Sequence, residues 1–240
     1  MEERIDSLIF KKGLVRSRSA GAELVRRAQV KVNGKIVKKP SEVFNENDNI
    51  EILSNLPFVG RGGEKLAYAL EKFDMKVADK IAVDVGSSTG GFTDCLVQNG
   101  VAKVYAVDVG TDQLSKELRD NPKIISMENT DIRDAIIPEQ IDIAVVDVSF
   151  ISLSKIFPAL KKMLKKDAEI VLLVKPQFEV GMKELNKRGI VKKAISRENI
   201  VRDVTREAEK VGFSVKKNIE SPITGKEGNV EYLLYAINKI

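Results

Sequence analysis

Histidine and tryptophan are absent from the 240 residues, and cysteine occurs once, as Cys95. A lone thiol cannot form an internal disulfide and fits a reducing cytoplasm. Without histidine a transition-metal centre is not expected. The usual general base is missing too, so any proton transfer falls to Lys, Asp, Glu or Tyr. No apolar run approaches the roughly 18 residues of a membrane span. The acidic start, Met1 to Arg4, is not followed by the apolar stretch of a signal peptide. No internal repeat or low-complexity segment is present.

What is present is unevenly spread. Hydrophobic residues make up 43% of the chain, enough for a real core in one large domain or in a medium and a small one. The net charge is +5, yet between Arg4 and Lys39 eleven basic residues face only Asp6 and Glu23, leaving +9 in that stretch. Charge focused on one small module is the footprint of a phosphate-binding surface, with a merely solvated basic face as the alternative. Arg4, Lys11, Arg16, Arg18, Arg26, Arg27, Lys31 and Lys35 are the candidate RNA contacts. Few aromatics interleave with them, which favours structured RNA read by shape over stacked single bases.

Residues 1–53 read as a separate α+β unit. Ile5, Leu8 and Ile9 form a helical face between Arg4 and Lys12, and Ser17 or Ser19 caps a second helix running through Ala28. Period-two alternation around Asn33-Gly34 predicts a hairpin, and residues 48–52 a last strand. Residues 54–63, with three glycines and a proline, form a linker. Residues 64–240 open with a helix to Phe73. Strands are then predicted at 80–84, 102–108, 123–127, 142–147, 168–174, 213–219 and 230–237, and helices at 89–98, 112–119, 151–165 and 196–211. The alternation predicts a Rossmann-like α/β fold with a seven-stranded, mostly parallel sheet. The last two strands have too short a link for a crossover helix and should pair antiparallel.

Residues 84–94 join the first of these strands to its helix through a glycine turn. Gly86, Gly90 and Gly91 match neither the Gly-x-Gly-x-x-Gly pattern nor a Walker loop. Asp84 ends this strand and Asp108 the next. Two acids and a glycine turn without a phosphate lysine suit S-adenosylmethionine, with its hydroxyls, ammonium and carboxylate; tight strand–helix packing is the plainer alternative. Ligands of such sheets sit beyond the carboxyl ends of the strands. Asp84, Asp147 and Lys175 each close a parallel strand, Glu231 stands at the start of the last antiparallel strand, and Lys65 at the head of the preceding helix. All five converge on one edge. A lysine near a second lysine can act as a base toward a ribose hydroxyl; a plain ion pair at the strand ends is the alternative.

Arg61-Gly-Gly-Glu-Lys65, Asp84 to Asp94, Val146-Asp147-Val-Ser-Phe150 and Val174-Lys175-Pro-Gln-Phe-Glu179 resemble the TlyA-type (haemolysin A family) ribosomal RNA methyltransferases of the FtsJ/RrmJ-like group. The first fifth of the chain resembles the S-four RNA-binding domain. The resemblance implies a class I methyltransferase sheet and 2′-O-methylation of cytidine in ribosomal RNA, either free or in a ribosomal subunit. It implies a catalytic tetrad of Lys65, Asp147, Lys175 and Glu231. In that tetrad Lys175 is the base, Asp147 orients it, and Lys65 and Glu231 position the hydroxyl. It also implies an S-adenosylmethionine site at Asp84, Gly86, Ser87, Gly90, Asp108 and, near the adenine, Asp131, which could equally cap the turn after the third strand. A base-carbon methyltransferase would need a nucleophilic cysteine, and Cys95 falls on the apolar side of its helix. Two other classes stay open: an RNA- or ribosome-binding protein with a non-catalytic methyltransferase fold, and a membrane-lytic haemolysin. No membrane or metal partner is expected, and the sequence leaves the oligomeric state open.

Overall fold

The structure, a computed structural model, describes residues 2–180, 185, 186, 189–191, 194–225 and 227–239. Two compact units divide the chain, Met1–Gly60 and Arg61–Ile240.

In the first unit β1 (Glu2–Arg4) leads straight into α1 (Ile5–Lys11), and α2 (Arg18–Arg26) follows. Ser17, not Ser19, caps α2, its hydroxyl accepting from the Ala20 N–H at 3.1 Å. The two helices come together at Gly21, where a Cβ would lie 2.9 Å from Ile9 Cδ1. The hairpin forms between β2 (Val30–Val32) and β3 (Lys35–Ile36). Asn33 and Gly34 have φ of 50° and 77°, the left-handed pair that a two-residue hairpin turn requires. β4 (Val43–Asn45) pairs antiparallel with β1, a ladder the sequence did not announce, and Arg4 belongs to it rather than to the helix. β5 (Ile50–Ile52) completes a three-stranded sheet in the order β3-β2-β5. Ile5, Ile9, Leu24, Val25, Val30 and Val32 make the core between helices and sheet.

The second unit opens with α3 (Gly62–Phe73) and β6 (Ile81–Val85), then α4 (Gly91–Gln98), β7 (Lys103–Val107), α5 (Lys116–Arg119), β8 (Ile124–Met127) and β9 (Ile141–Val146). A 3-10 turn at Leu153–Lys155, α6 (Phe157–Met163), β10 (Leu164–Val174), α7 (Pro176–Glu179), α8 (Ala194–Lys210), β11 (Phe213–Glu220) and β12 (Tyr232–Asn238) follow. The seven strands lie in the order β11-β12-β10-β9-β6-β7-β8. β12 runs antiparallel to both β10 and β11, and the other pairings are parallel. The chain leaves β6 toward β7 and returns on its other side at β9. The crevice at this reversal, beyond the carboxyl ends, is where such sheets take ligands.

Several elements differ from the sequence reading. The helix predicted at 112–119 is only α5, because Asp112 takes a left-handed φ of 52° and Ser115, just ahead of α5, is extended. The helix predicted at 151–165 breaks into the 3-10 turn and α6. β10 then starts at Leu164, where the buried Asn238 amide donates to the carbonyls of Leu164 and Lys165. β12 starts at Tyr232, so Glu231 precedes the strand. Among the described residues no helix is long and apolar enough to cross a membrane.

Candidate active site

β6 delivers Asp84 into the core, where it is fully buried. Its Oδ2 accepts from the Thr93 hydroxyl of α4 at 2.6 Å. Burial pushes the carboxyl up to about 7, against the lowering effect of that hydrogen bond. Asp84 Oδ1 and the neighbouring Ser87 Oγ are buried with no hydrogen-bond partner among the described residues. Buried acceptors in native folds are paired, so two orphans on one glycine turn fit a ligand carrying N–H or O–H donors. The turn needs its glycine at position 86: φ is 81°, and a Cβ would lie 2.5 Å from the Asp147 carbonyl oxygen. At Gly90, φ 96°, a Cβ would meet Leu114 Cδ1 at 2.8 Å, so that glycine serves the packing of the loop beyond β7.

A cavity of 390 Å³ opens beyond these strands. Of the six predicted cofactor residues, Gly86, Asp108 and Asp131 line it, whereas Asp84, Ser87 and Gly90 do not. Asp108 accepts the Ser88 and Gly110 N–H groups, both at 2.7 Å, one on each oxygen. Asp131 accepts from the Arg133 guanidinium at 2.6 and 2.9 Å, and this pairing lowers its carboxyl. It also accepts the Arg133 N–H at 2.9 Å, so it caps the turn and lines the cavity at once.

Sequence reasoning missed the residue that joins these two loops. Glu128, just past β8, accepts the N–H groups of Asp112, Gln113 and Leu114 at 3.1, 2.6 and 2.8 Å, and they hold its carboxyl low. The loop carrying Asp108 is thereby fastened to the loop carrying Asp131. No local pattern marks such a residue, because its partners lie on another loop.

The predicted tetrad forms two ion pairs. Lys175 Nζ lies 2.6 Å from Asp147 Oδ1, a charge contact that lacks hydrogen-bond alignment. The same amine donates an aligned hydrogen bond to Ser149 Oγ at 2.8 Å. Lys65 of α3 pairs with Glu231, both buried. Strand register ties the pairs together. Val174 of β10 stands opposite Tyr232 of β12, so the next step sets Lys175 against Glu231. Gly62, one turn before Lys65, would carry a Cβ 3.7 Å from Asp147 Oδ2.

Asp147 and Ser149 also line the cavity, together with Phe150. Phe150 is 90% exposed and its backbone is left-handed at φ 64°, an outlier for a bulky side chain. Its ring meets that of Phe178 at 4.9 Å between centroids. Cys95 is buried and its thiol is pushed up to about 12 by that burial, which suits a core residue and not a nucleophile. Among the described residues no cluster of three or more His, Cys, Asp or Glu side chains could hold a metal.

In the first unit the predicted basic residues are partly neutralised. Arg4 and Arg18 lie 2.8 and 3.4 Å from the buried Asp6, and Lys11 lies 2.7 Å from Glu3. Arg26 and Arg27 flank Glu23 at 3.6 and 2.9 Å, and Arg16 donates to the Phe58 carbonyl. Lys35 is exposed on the hairpin and Lys31 half-buried beside it.

Comparison with known proteins agrees with this architecture. The model of the FtsJ-like methyltransferase family matches residues 58–237 and that of the S4 domain residues 3–50. Hemolysin A of Brachyspira hyodysenteriae is 39% identical, over 98% of this chain and 99% of its own. The 16S/23S rRNA (cytidine-2′-O)-methyltransferase TlyA of Mycobacterium tuberculosis is also 39% identical, over 97% and 88%. A solved structure from Streptococcus thermophilus, provisionally assigned as a hemolysin, is 41% identical with a TM-score of 0.79, over 99% of this chain and 89% of that one. A sheet reversing beside a glycine turn, followed almost end to end by these relatives, places the chain in the FtsJ-like methyltransferase family, with an S4 domain ahead of the catalytic fold.

Proposed function

We propose that this chain transfers a methyl group from S-adenosylmethionine to the 2′-hydroxyl of a ribose, that of a cytidine in ribosomal RNA, and that it works in the cytoplasm. The Mycobacterium tuberculosis relative, a 16S/23S rRNA (cytidine-2′-O)-methyltransferase, supports the substrate. The observation that carries the reaction is the Lys175–Asp147 pair at the rim of a cavity whose neighbouring turn holds orphaned acceptors.

When bound, S-adenosylmethionine supplies an electrophilic sulfonium methyl. Asp84 and Ser87 offer acceptors to an ammonium or hydroxyl, Asp108 to ribose hydroxyls and Asp131 to an amine, while Gly86 leaves the backbone clear. A ribose hydroxyl is a weak nucleophile. Lys175 takes its proton, Asp147 keeps charge beside the amine, and the Lys65–Glu231 pair fixes the wall against which the sugar rests. The exposed Phe150 face, backed by Phe178, gives the base of that nucleotide a surface on which to stack. The N-terminal unit binds the RNA through phosphate contacts of Lys31, Lys35 and the neighbouring arginines.

The test is labelled-methyl transfer to ribosomal RNA followed by mass mapping of the modified nucleotide. Label on a ribose, lost in Lys175→Ala, is the expected result. Full transfer by that variant would overturn the assignment of the base. RNA binding without any transfer would favour the non-catalytic reading, and vesicle leakage at physiological salt the lytic one.

A further inference from the structure

A lysine amine works as a base only if its lone pair points at the proton. The Cε–Nζ bond rotates freely, so something must fix that torsion. The resemblance gives the task to Asp147, but Asp147 Oδ1 meets the amine at 2.6 Å without hydrogen-bond alignment. Ser149 Oγ meets it at 2.8 Å with alignment. The Phe178 ring, 5.9 Å from Nζ, can attract a cation but sets no torsion.

We infer that Ser149 is a positioning residue of the methyl-transfer site: its hydroxyl fixes the rotation of the Lys175 amine, while Asp147 supplies the countercharge. This rests on the reading of Lys175 as the base. An amine that acts as a base carries two N–H bonds and one lone pair. One N–H is committed to Ser149 Oγ, which fixes the torsion; of the two directions left, the negative charge of Asp147 repels the lone pair from its own side, so the lone pair faces the side where the sugar hydroxyl must stand. The O–H bond of that hydroxyl breaks, its proton forms the third N–H bond of the ammonium, and the oxygen keeps the electron pair with which it takes the methyl. The sulfur–carbon pair stays with sulfur, leaving a neutral thioether. Ser149 is exposed at the cavity wall, so replacing it removes no core packing.

The experiment compares Ser149→Ala and Ser149→Thr with the unaltered full-length chain in two ways. Relaxation of the Lys175 side-chain 15N signal, in the protein alone, reports the order of the amine. Order is expected to fall in Ser149→Ala and return in Ser149→Thr. In steady-state assays kcat is expected to drop about tenfold in Ser149→Ala, by loss of orientation, with KM for RNA and cofactor within twofold, and to recover in Ser149→Thr. Unchanged amine order and unchanged kcat in Ser149→Ala would overturn the inference, as would failure of Ser149→Thr to restore either. Loss of transfer in Lys175→Ala beside a fully active Ser149→Ala would sink this inference alone, whereas a fully active Lys175→Ala would sink the underlying reading.

Discussion

Gly225 leaves open the space that the Glu231 carboxylate fills: a Cβ at Gly225 would lie 2.5 Å from Oε1. The carboxylate cannot retreat easily, because it is buried and paired with Lys65. Gly225→Val should therefore lower kcat while the fold survives, seen as an unchanged circular-dichroism spectrum beside reduced transfer. Lys65→Ala should do more damage. It strands a buried charge and should cost about 3–5 kcal/mol in urea unfolding, a loss that Lys65→Ala/Glu231→Gln should largely recover.

Asp84 makes stability depend on pH. Its folded carboxyl titrates at about 7, well above the ~3.9 of a free one. The folded state therefore holds a proton that the unfolded state has released. Its contribution is fully present below about pH 4 and is lost as pH rises through about 7. Urea unfolding of the ligand-free chain from pH 4 to 8 should show this decline, and Asp84→Asn should flatten it. The same variant should bind S-adenosylmethionine more weakly by calorimetry.

Glu128 touches no predicted catalytic side chain, yet it fastens two of the loops that line the cavity. Glu128→Ala should raise KM for the cofactor about tenfold and leave kcat at saturation nearly intact, as expected when binding alone is lost. Amide hydrogen exchange at residues 110–114 should quicken in parallel. An equal fall in kcat would show that the loops also shape the chemical step.

Phe150 holds a left-handed backbone that costs of order 1 kcal/mol or more. Phe150→Gly should relieve that strain and raise stability slightly, while turnover on RNA drops about tenfold for want of a stacking face. Gain of stability with loss of function is the signature to look for, by thermal melts and single-turnover assays.

In the N-terminal unit Lys35 stands exposed on the hairpin turn side of β3, whereas Arg4 and Arg18 already face Asp6. Lys35→Ala should weaken RNA binding across sequences and reduce the slope of log affinity against log salt by about 1. Filter binding at several salt concentrations measures both.

The sheet was legible because its strands are short apolar runs, such as Ile141–Val146 and Ile170–Val174, separated by turn signals. Topology alone predicts Asp147, Lys175, Lys65 and Glu231 on one edge. What stayed hidden depends on side chains that reach across loops. Nothing near Glu128 in the chain says that it will take N–H groups fourteen to sixteen residues away. Ser149 reads as an ordinary loop serine until the amine of Lys175 is placed beside it. Asn238 stands one residue past the predicted last strand, yet its buried amide donates to the carbonyls where α6 gives way to β10.

The order of the strands bears on how the sheet closes. β12 follows β11 in the chain, yet it lies between β10 and β11 and is the neighbour that joins β11 to the sheet. Without β12 the β10 edge would present unpaired N–H and C=O groups, an invitation to edge-to-edge association, and Glu231 would have no register to hold it against Lys65. One strand thus seals the sheet and seats a carboxylate of the predicted tetrad in the same act.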